Sequence, residues 1–375
     1  MTDAAGVRRW LFEEALPAWA TAGLDPAGGF AESLALDGRP LPCGVQRMRV
    51  QARQIYVYCQ GFIDGWPGPA RAAADAGFKH LTERFWHPDG GFVFSLGADG
   101  KVANDRRESY EQAFALLAFA SHHRAFGGTE SLDWARRTLD FLDSRLSAAN
   151  GGYRESLPDA LPRRQNPHMH LLEALMALFE ATGETDYLTR AGGLVALMRR
   201  RFVEPASGTL GEFFTEDWMP ALGDEGTYLE PGHHYEWTWL LHHYAGLSGD
   251  QAAARAAHPL YRFAVAIGTD PVDGLAYDVV GRDGRVRQGS KRLWVQTEAL
   301  KAHLAMAEQS TDPAAMGRAQ ATLDAIFARY LAPGHGVWQD QFAADGRPLA
   351  TFAPASSFYH LYLAFSEYRR LRAAA

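Results

Sequence analysis

Apolar residues recur every three or four positions in successive stretches of this chain, which is the spacing of one face of an α-helix. RRWLFEEALPAWA, from Arg8, has such a face, with charged residues on its other side. By contrast, HLLEALMALFEA from His170 and FYHLYLAFSEY from Phe358 are apolar on almost every side, as expected of helices that are contacted all round. The pattern predicts two classes of helix, outer helices with one wet face and inner helices that are buried.

A glycine-led segment separates the two helices of each pair and recurs six times. The leading glycines are spaced 62, 61, 57, 66 and 62 residues apart and are Gly28, Gly90, Gly151, Gly208, Gly274 and Gly336. In four segments an Asp-Gly dipeptide follows, with the Asp nine residues after the leading glycine, at Asp37, Asp99, Asp283 and Asp345. This dipeptide is typical of tight hairpin turns, so each segment is expected to form a short β-hairpin or an extended loop.

Twelve helices arranged in this way can stack as an open solenoid or close into a double ring. The apolar inner helices favour closure, so we predict an all-α fold, one (α/α)6 barrel over residues 1–375 with short β-hairpins in its connecting loops. Inner helices are expected to begin near Gln46, Glu108, Asn166, Gly232, Lys291 and Ser356. Outer helices are expected near Val7, Arg71, Ser131, Leu188, Ala252 and Ala315. The polar segment Gly223–Gly232 is the predicted flap.

Composition narrows the class of protein. The 375 residues include 37 basic and 44 acidic side chains, a net charge of −7, which argues against nucleic acid or an anionic membrane as a partner. No apolar run approaches the ~18 residues of a membrane span, and no signal segment precedes Trp10. Two cysteines, Cys43 and Cys59, suit a reduced compartment, so we expect a cytoplasmic monomer or homodimer.

Polar residues stand near the start of every predicted inner helix. They are Arg53, Tyr110 with Glu111, Asn166 with His170, His233 with Glu236, Trp294 with Glu298, and His360. If the inner helices run parallel, these starts converge on one mouth. Two His-x-x-Glu pairs, His170 with Glu173 and His233 with Glu236, place each carboxylate on the helical face of its imidazole, where it can orient the ring.

The residues also allow other kinds of chemistry. The histidines could bind a metal, but HExxH and paired cysteines are absent, and no nucleotide-binding glycine motif occurs, so no metal or cofactor is expected. A glycosidase could use Glu111 with Glu236 or Glu298, although the predicted mouth is richer in histidine than in paired acids. An inactive sugar-binding ring remains a further alternative, because its aromatic residues could stack on sugars without catalysis.

The inner-helix motifs resemble those of the N-acylglucosamine 2-epimerase superfamily. NPHMHLLEA from Asn166, GHHYEW from Gly232, KRLWVQTEA from Lys291 and FYHLYLAF from Phe358 occur in the order of that family, and the likeness covers essentially the whole chain. The resemblance implies an (α/α)6 barrel that acts on mannose and related sugars. Leu293 stands where disaccharide epimerases often have Trp, which weakens a disaccharide substrate.

By this resemblance His233, supported by Glu236, and His360 are the catalytic residues. The expected substrate-binding residues are Arg53, Tyr110, Asn166, His170, Glu236, Trp294 and Glu298. Histidine, with an ordinary pKa near ~6.5, suits removal of the C2 proton of an open-chain aldose. We therefore predict a metal-free isomerase that interconverts a monosaccharide aldose and ketose, D-mannose and D-fructose, with 2-epimerisation of mannose, an N-acyl hexosamine or a disaccharide as the alternative.

Overall fold

The computed structural model describes residues 2–26, 28–42, 44–309 and 312–373, and in these ranges twelve helices form two concentric rings. The outer helices are α1 (4–19), α3 (Ala70–Arg84), α5 (130–146), α7 (185–202), α9 (Gln251–Ala266) and α11 (315–330). The inner helices are α2 (Met48–Ile63), α4 (Ser109–Phe126), α6 (Asn166–Thr182), α8 (Pro231–Ser248), α10 (Leu293–Glu308) and α12 (Ser356–Ala373). Every inner helix begins within two residues of its predicted start.

The inner ring closes on itself. Consecutive inner helices pack side by side from α2 to α12, and α12 packs against α2. The predicted (α/α)6 barrel is thus confirmed, and the open solenoid is excluded. Closure explains the sequence contrast, because α4 and α8 bury nearly every side of their first turns, whereas an outer helix such as α5 buries one stripe. None of the described helices has the length and apolar character needed to cross a bilayer.

Short strands cover one end of the barrel. They are β1 (Ser33–Ala35), β2 (Val45–Arg47), β3 (Ser95–Gly97), β4 (Val102–Asn104), β5 (Arg107–Glu108), β6 (Ser156–Leu157), β7 (Arg163–Arg164), β8 (Phe213–Phe214), β9 (Tyr228–Leu229), β10 (Val279–Gly281), β11 (Val286–Gln288), β12 (Lys291–Arg292), β13 (Gln341–Phe342) and β14 (Phe352–Pro354). The strand before each inner helix pairs antiparallel with the strand of the next glycine segment, as β2 does with β3, and β14 returns to β1. The strand pairs therefore link each repeat to the next and, through β14 and β1, the last repeat to the first.

The glycine segments divide between the two predicted forms, a short hairpin and an extended loop. Among the described residues, only the second and fifth segments contain two paired strands, β3 with β4 and β10 with β11. In the first, fourth and sixth segments the returning position is Pro40, Pro220 or Pro348, and the turn is closed by a single bridge. The residue after the proline still donates to the first strand in two of them, Ala221 to the Phe213 carbonyl and Leu349 to the Gln341 carbonyl, and the pairing ends there. Val102 and Val286 occupy this position in the two true hairpins.

The segment Gly223–Gly232, predicted to be a flap, is partly tied into this end. Its first half contains a short 3₁₀ turn, Asp224–Thr227, and its second half contains β9, which pairs with β10. Glu230 N–H then donates to the Glu212 carboxylate just before α8 begins. Only the first half is therefore free of sheet pairing.

Candidate active site

A repeated contact sets the rotation of the inner helices. Five side chains near the helix starts hydrogen-bond the backbone of the residue two positions after a leading glycine, and these side chains are Gln51, Gln112, His168, His234 and Gln296. In the sixth repeat Phe358 packs instead on the ring of Trp338. These residues face the glycine segments. Because successive α-helical residues turn by about 100°, a residue two positions later faces the opposite way, toward the barrel axis.

Several of the predicted site residues face the barrel axis at one depth, which is called the axial level below. Two residues after each contact side chain stand Arg53, Phe114, His170, Glu236, Glu298 and His360. All six are buried. His233 does not belong to this level. It stands one residue before His234, so it lies three residues, or about one helical turn, nearer the hairpin end than the axial level.

His233 lies between carboxylates that come from the loops. Its Nδ1 is 2.8 Å from Glu212 Oε2 and 4.0 Å from Glu230 Oε2. Burial lowers the pKa of an imidazole, but here the Glu212 and Glu230 charges outweigh burial and raise the pKa of His233 to about 9. The ring is therefore protonated at neutral pH and can act as an acid.

The other ring nitrogen of His233 faces Asn166. Nε2 lies 3.1 Å from Asn166 Nδ2, and Asn166 Oδ1 has no partner among the described residues. A half-turn of the amide would let Oδ1 accept the Nε2–H of a protonated ring. Asn166 can thus orient His233 from the neighbouring helix.

His360 lies deeper and has the opposite charge state. Its Nδ1 is 2.8 Å from Glu298 Oε1. Burial, aided by the positive charges of Arg53 and Lys301, holds the pKa of His360 well below its usual range. A neutral ring that donates Nδ1–H to Glu298 keeps a lone pair on Nε2. His360 is thus arranged as a base.

Trp294 lies between the two histidines. Its ring centroid is 5.2 Å from that of His233 and 5.8 Å from that of His360, at interplanar angles near 40°. The indole therefore keeps the two imidazoles apart while contacting both. It also supplies an aromatic surface of the kind that packs on the apolar face of a sugar ring.

His170 pairs with Glu173 as predicted. Its Nδ1 is 3.3 Å from Glu173 Oε2 and 3.7 Å from Glu236 Oε1. Burial outweighs the Glu173 contact and lowers the pKa of His170 to about 4. Tyr359 donates its hydroxyl hydrogen to Glu173, which is thereby held from a third helix.

Glu236 is not the partner of His233, which corrects the predicted His233–Glu236 pair. The two His-x-x-Glu motifs are offset by one turn, because Glu236 is at the axial level of His170, whereas His233 is above it. Neither oxygen of Glu236 has a hydrogen-bond partner within the described part of the chain. Burial and the neighbouring Glu298 charge hold the pKa of Glu236 well above its usual range. Both effects favour the neutral form of this carboxyl group.

Arg53 and Tyr110 complete the set of predicted residues. Arg53 Nη2 donates to Tyr110 Oη at 2.9 Å, and Nη1 donates to the Ser356 carbonyl at 3.2 Å. Tyr110 in turn contacts the His170 ring. The nine predicted residues form two chains of contacts at the inner helix starts, and these chains meet where ligand atoms of Glu236, Glu298 and His360 lie within 4.8 Å of one another. Arg53 makes no ion pair with any described carboxylate, so its charge is available to a ligand.

Other arginines near this end are already paired. The ion pairs are Arg47 with Glu32, Arg49 with Glu111, Arg164 with Glu155, and Arg292 with Asp278 and Glu230. Glu111 is therefore committed to Arg49 at 2.6 Å. A glycosidase that used Glu111 as one of its two acids would have to break this ion pair.

Glu212 was missed, although the sequence carries a signal for it. An acidic residue stands four positions after the leading glycine in five of the six segments, at Glu32, Glu155, Glu212, Asp278 and Asp340. The first four of these carboxylates accept a backbone N–H just ahead of an inner helix, and Asp340 accepts from the hydroxyl of Ser357. They anchor the helix starts. In the fourth repeat the same carboxylate also reaches His233.

Three groups of side chains are close enough to hold a metal ion. They are His170 with Glu173 and Glu236, His233 with Glu212 and Glu230, and His360 with Glu236 and Glu298. Glu173, Glu212 and Glu298 are each hydrogen-bonded to the histidine of their group, so each of these histidines already has a carboxylate partner. That the protein acts without a metal stays a prediction.

Comparison with known proteins agrees with this architecture. Residues 28–364 match the family model described as N-acylglucosamine 2-epimerase (GlcNAc 2-epimerase). A protein named mannose-6-phosphate isomerase from Rhizobium meliloti (strain 1021) is 36% identical over 370 residues, which cover 96% of this chain and 94% of the relative. D-mannose isomerase from Thermobifida fusca is 29% identical, with 97% of this chain and 94% of the relative covered. The structure of cellobiose 2-epimerase from Spirochaeta thermophila DSM 6192 is similar, with a TM-score of 0.88, 28% identity, and coverage of 99% of this chain and 96% of that one.

Proposed function

The chain belongs to the N-acylglucosamine 2-epimerase family, and on this premise we propose that it interconverts an aldose and a ketose through an enediolate, with D-mannose and D-fructose as the pair. The family relatives are named as isomerases and epimerases of sugars, so the protein is an enzyme of the isomerase class. The observation that carries the proposal is the pair of histidines with opposite charge states on either side of Trp294.

The first step needs an open-chain sugar. His233, protonated and held by Glu212 at Nδ1, gives its Nε2 proton to the ring oxygen as the C1–O5 bond breaks, and the O1 hydroxyl releases its proton to water. Arg53 supplies donors for the sugar oxygens, because no described carboxylate forms an ion pair with it. The neutral His170 gives its Nδ1–H to Glu173, so its Nε2 can accept a hydrogen bond from a sugar hydroxyl. Glu236, whose raised pKa favours the neutral carboxyl group, adds a further donor.

Proton transfer then falls to His360. Its free Nε2 takes the C2 proton, the electron pair of the C2–H bond forms the C1–C2 double bond, and the negative charge moves to O1. The Arg53 guanidinium is the fixed positive charge nearest to stabilise this enediolate. His360 then returns the proton to C1 while the O2 proton moves to O1, which gives the ketose and leaves His360 neutral again. No metal or redox cofactor takes part in this sequence.

Epimerisation is the second candidate. Return of the proton to the opposite face of C2 would give the epimer, and a second imidazole across Trp294 could deliver it. Relatives named cellobiose 2-epimerase keep this alternative open. A disaccharide has less support, because Leu293, where those enzymes often have Trp, is fully buried.

The charge distribution favours a free sugar over a sugar phosphate. The arginines Arg47, Arg49, Arg164 and Arg292 near the site are each paired with a carboxylate, so a phosphate would have to break an existing ion pair. The relative from Rhizobium meliloti is named for a phosphorylated sugar, which makes this a direct test. The cytoplasmic location and the monomeric or dimeric state stay predictions.

The deciding experiment follows products and label together. The protein, treated with chelator, is incubated in deuterated water with mannose, mannose 6-phosphate, glucose, N-acetylmannosamine or cellobiose, and NMR records the products and the deuterium at C1 and C2. Fructose from mannose, with the phosphate ester turned over more slowly, is the expected result. Glucose from mannose would establish the epimerase, and faster turnover of the phosphate would reverse the free-sugar assignment. If no sugar exchanges deuterium with or without added divalent metal, the proposed chemistry is contradicted. If added metal restores exchange, only metal independence is contradicted.

A further inference from the structure

Lys301 is a fully buried charge that takes no part in the proposed steps. It stands on α10 three residues after Glu298, so it lies on the same helical face, about one turn farther from the hairpins. Neither side chain has any exposed surface, and the ammonium nitrogen is 2.6 Å from Glu298 Oε2. A buried ion pair adds little stability compared with apolar side chains of the same size. Its place beside the active site therefore points to a role in the site.

Two contacts hold the ammonium. The pairing with Glu298 is electrostatic, because neither Nζ nor Oε2 has a hydrogen-bond partner among the described residues. Nζ also lies over the Trp239 ring, 4.3 Å from its centroid, in the geometry of a cation–π contact. Burial lowers the pKa of an ammonium, but the neighbouring carboxylates, Glu298 first among them, outweigh burial and raise the pKa of Lys301. Lys301 therefore keeps its positive charge.

The two oxygens of Glu298 face different partners. Oε2 faces the Lys301 ammonium, and Oε1 lies 2.8 Å from His360 Nδ1. Because one oxygen is held by a cation, the carboxylate cannot rotate freely, and the other oxygen stays aimed at the imidazole. The neutral ring then carries its proton on Nδ1, which leaves the Nε2 lone pair for the sugar. Lys301, Glu298 and His360 thus form one chain of buried contacts.

We propose that Lys301 is a positioning residue, which fixes the Glu298 carboxylate and through it holds His360 in the tautomer that can act as a base. The inference rests on the proposed function, because it adds a residue to the same proton transfer. The Lys301 side chain is fully buried and does not reach a sugar. An effect of its charge on His360 through space would persist when Glu298 is replaced, whereas the proposed effect would not.

The test combines a single and a double variant. Lys301→Met keeps the length of the side chain but removes the ammonium, so Glu298 loses the charge that holds Oε2. The double variant with Glu298→Gln removes both charges, so neither is left buried without its partner. Lys291→Met is the matched control, because Lys291 is also buried and pairs with Asp270 and Asp273 at 2.7 and 2.8 Å.

Nitrogen-15 NMR of histidine-labelled protein measures the tautomer, because protonated and unprotonated ring nitrogens differ strongly in chemical shift. The signals of His360 are assigned by their absence in His360→Ala. In the wild type and in K291M, the proton is expected on Nδ1. In K301M it is expected to move to Nε2, because Nδ1 loses its fixed acceptor. A proton on Nε2 in the wild type, or an unchanged tautomer in K301M, overturns the proposal. This measurement needs no turnover, so it separates failure of the inference from failure of the proposed function.

Turnover is the second measurement. K301M is expected to lower kcat about tenfold, with KM within about threefold of the wild type, because the base is affected and not the sugar contacts. K291M is expected to keep kcat within about threefold of the wild type, and circular dichroism melts compare the stability that each variant loses.

The double variant shows the route of the effect. In the Glu298→Gln background, Lys301→Met is expected to change kcat by less than about threefold, because Glu298 no longer transmits its effect. A further tenfold loss relative to E298Q would mean that Lys301 acts without Glu298 and contradicts the proposal. This comparison leaves no charge unpaired, so it decides the question even if K301M does not fold.

Discussion

His233 and His360 are two imidazoles of one site, equally buried, yet their pKa values move in opposite directions. His233 lies one turn nearer the hairpins, where loop carboxylates surround it, and is protonated. His360 lies at the axial level beside Arg53 and Lys301 and is neutral. The nearest charges therefore set the difference, because Glu212 and Glu230 outweigh burial at His233, whereas Arg53 and Lys301 add to burial at His360. Burial alone would have lowered both pKa values.

The difference assigns an acid and a base without reference to the substrate. A protonated His233 can donate, and a neutral His360 can accept. Because His233 loses its proton as the pH rises through about 9, activity is expected to fall on that alkaline side. His360 stays neutral to well below pH 6.5, so activity is expected to be level across neutral pH.

Removal of the proposed base, His360, is expected to have the largest effect on activity. His360→Ala is expected to lower kcat by about 10³-fold or more, since no other described group is placed to take the C2 proton. The measurement is C2 deuterium exchange together with turnover. His122→Ala, on the outward side of α4, is the control and should keep normal activity. Near-normal exchange in H360A would remove His360 from the mechanism.

Removing the acid should cost somewhat less, because a sugar opens its ring slowly in water without help. His233→Ala is expected to lower kcat by about 10²-fold. The loss should be smaller when the reaction starts from fructose, which has more open chain than mannose in solution. An equal loss of kcat with mannose and with fructose as the starting sugar would contradict the ring-opening role.

The Glu298 contact tests the tautomer of His360. In Glu298→Gln the amide can donate to Nδ1, which would move the ring proton to Nε2 and remove the base's lone pair. We expect kcat to fall by about 10²-fold or slightly less, with no movement of the alkaline limb of the pH profile. Glu298→Asp, which keeps the acceptor, should recover part of the loss. A shifted alkaline limb in E298Q would show that Glu298 sets charge and not orientation.

The Glu212 contact tests the charge of His233. Glu212→Gln removes one of the two carboxylates that raise its pKa, so the alkaline limb should move from about 9 to lower pH, by about 1–3 units. At pH 8 the loss of activity is expected to be about tenfold, and it should shrink on acidification. The measurement is kcat/KM against pH. An unmoved limb would mean that His233 is not the group that titrates.

Glu236 should give the smallest effect. Burial and the Glu298 charge raise its pKa and favour the neutral carboxyl group, so Glu236→Gln replaces this group with a neutral donor of similar shape. Activity at pH 7 is expected to stay within about threefold, whereas Glu236→Ala, which leaves a cavity and no donor, should lose more. A large loss in E236Q would show that the ionised form is the working one.

The repeat made the fold predictable. Glycine segments and apolar periodicity fixed the number of helices and their starts to within two residues, because both are local properties of the chain. The strand pairing was not predicted, since it joins one repeat to the next. The prolines at Pro40, Pro220 and Pro348, which stand at the returning position of three segments without a full hairpin, were nevertheless readable from the sequence.

The predicted site residues came together, but one of their pairings was wrong. His233 and Glu236 do lie on neighbouring turns of one helix, as their spacing requires. The partner of His233 is instead Glu212, which comes from the preceding glycine segment. Aligning the repeats by Gln51, His168 and His234 would have revealed the offset, because these contact residues fix which level each side chain occupies.

The sequence by itself determined the twelve helices and the sixfold repeat, because these depend on residue types and on spacing within single helices, and its resemblance to a family pointed to the two histidines that are proposed to be catalytic. Only the tertiary structure decided the charge states and partners of the histidines. Those depend on burial and on charges from several helices and loops, such as Glu212, Arg53 and Lys301, that meet only when the ring closes.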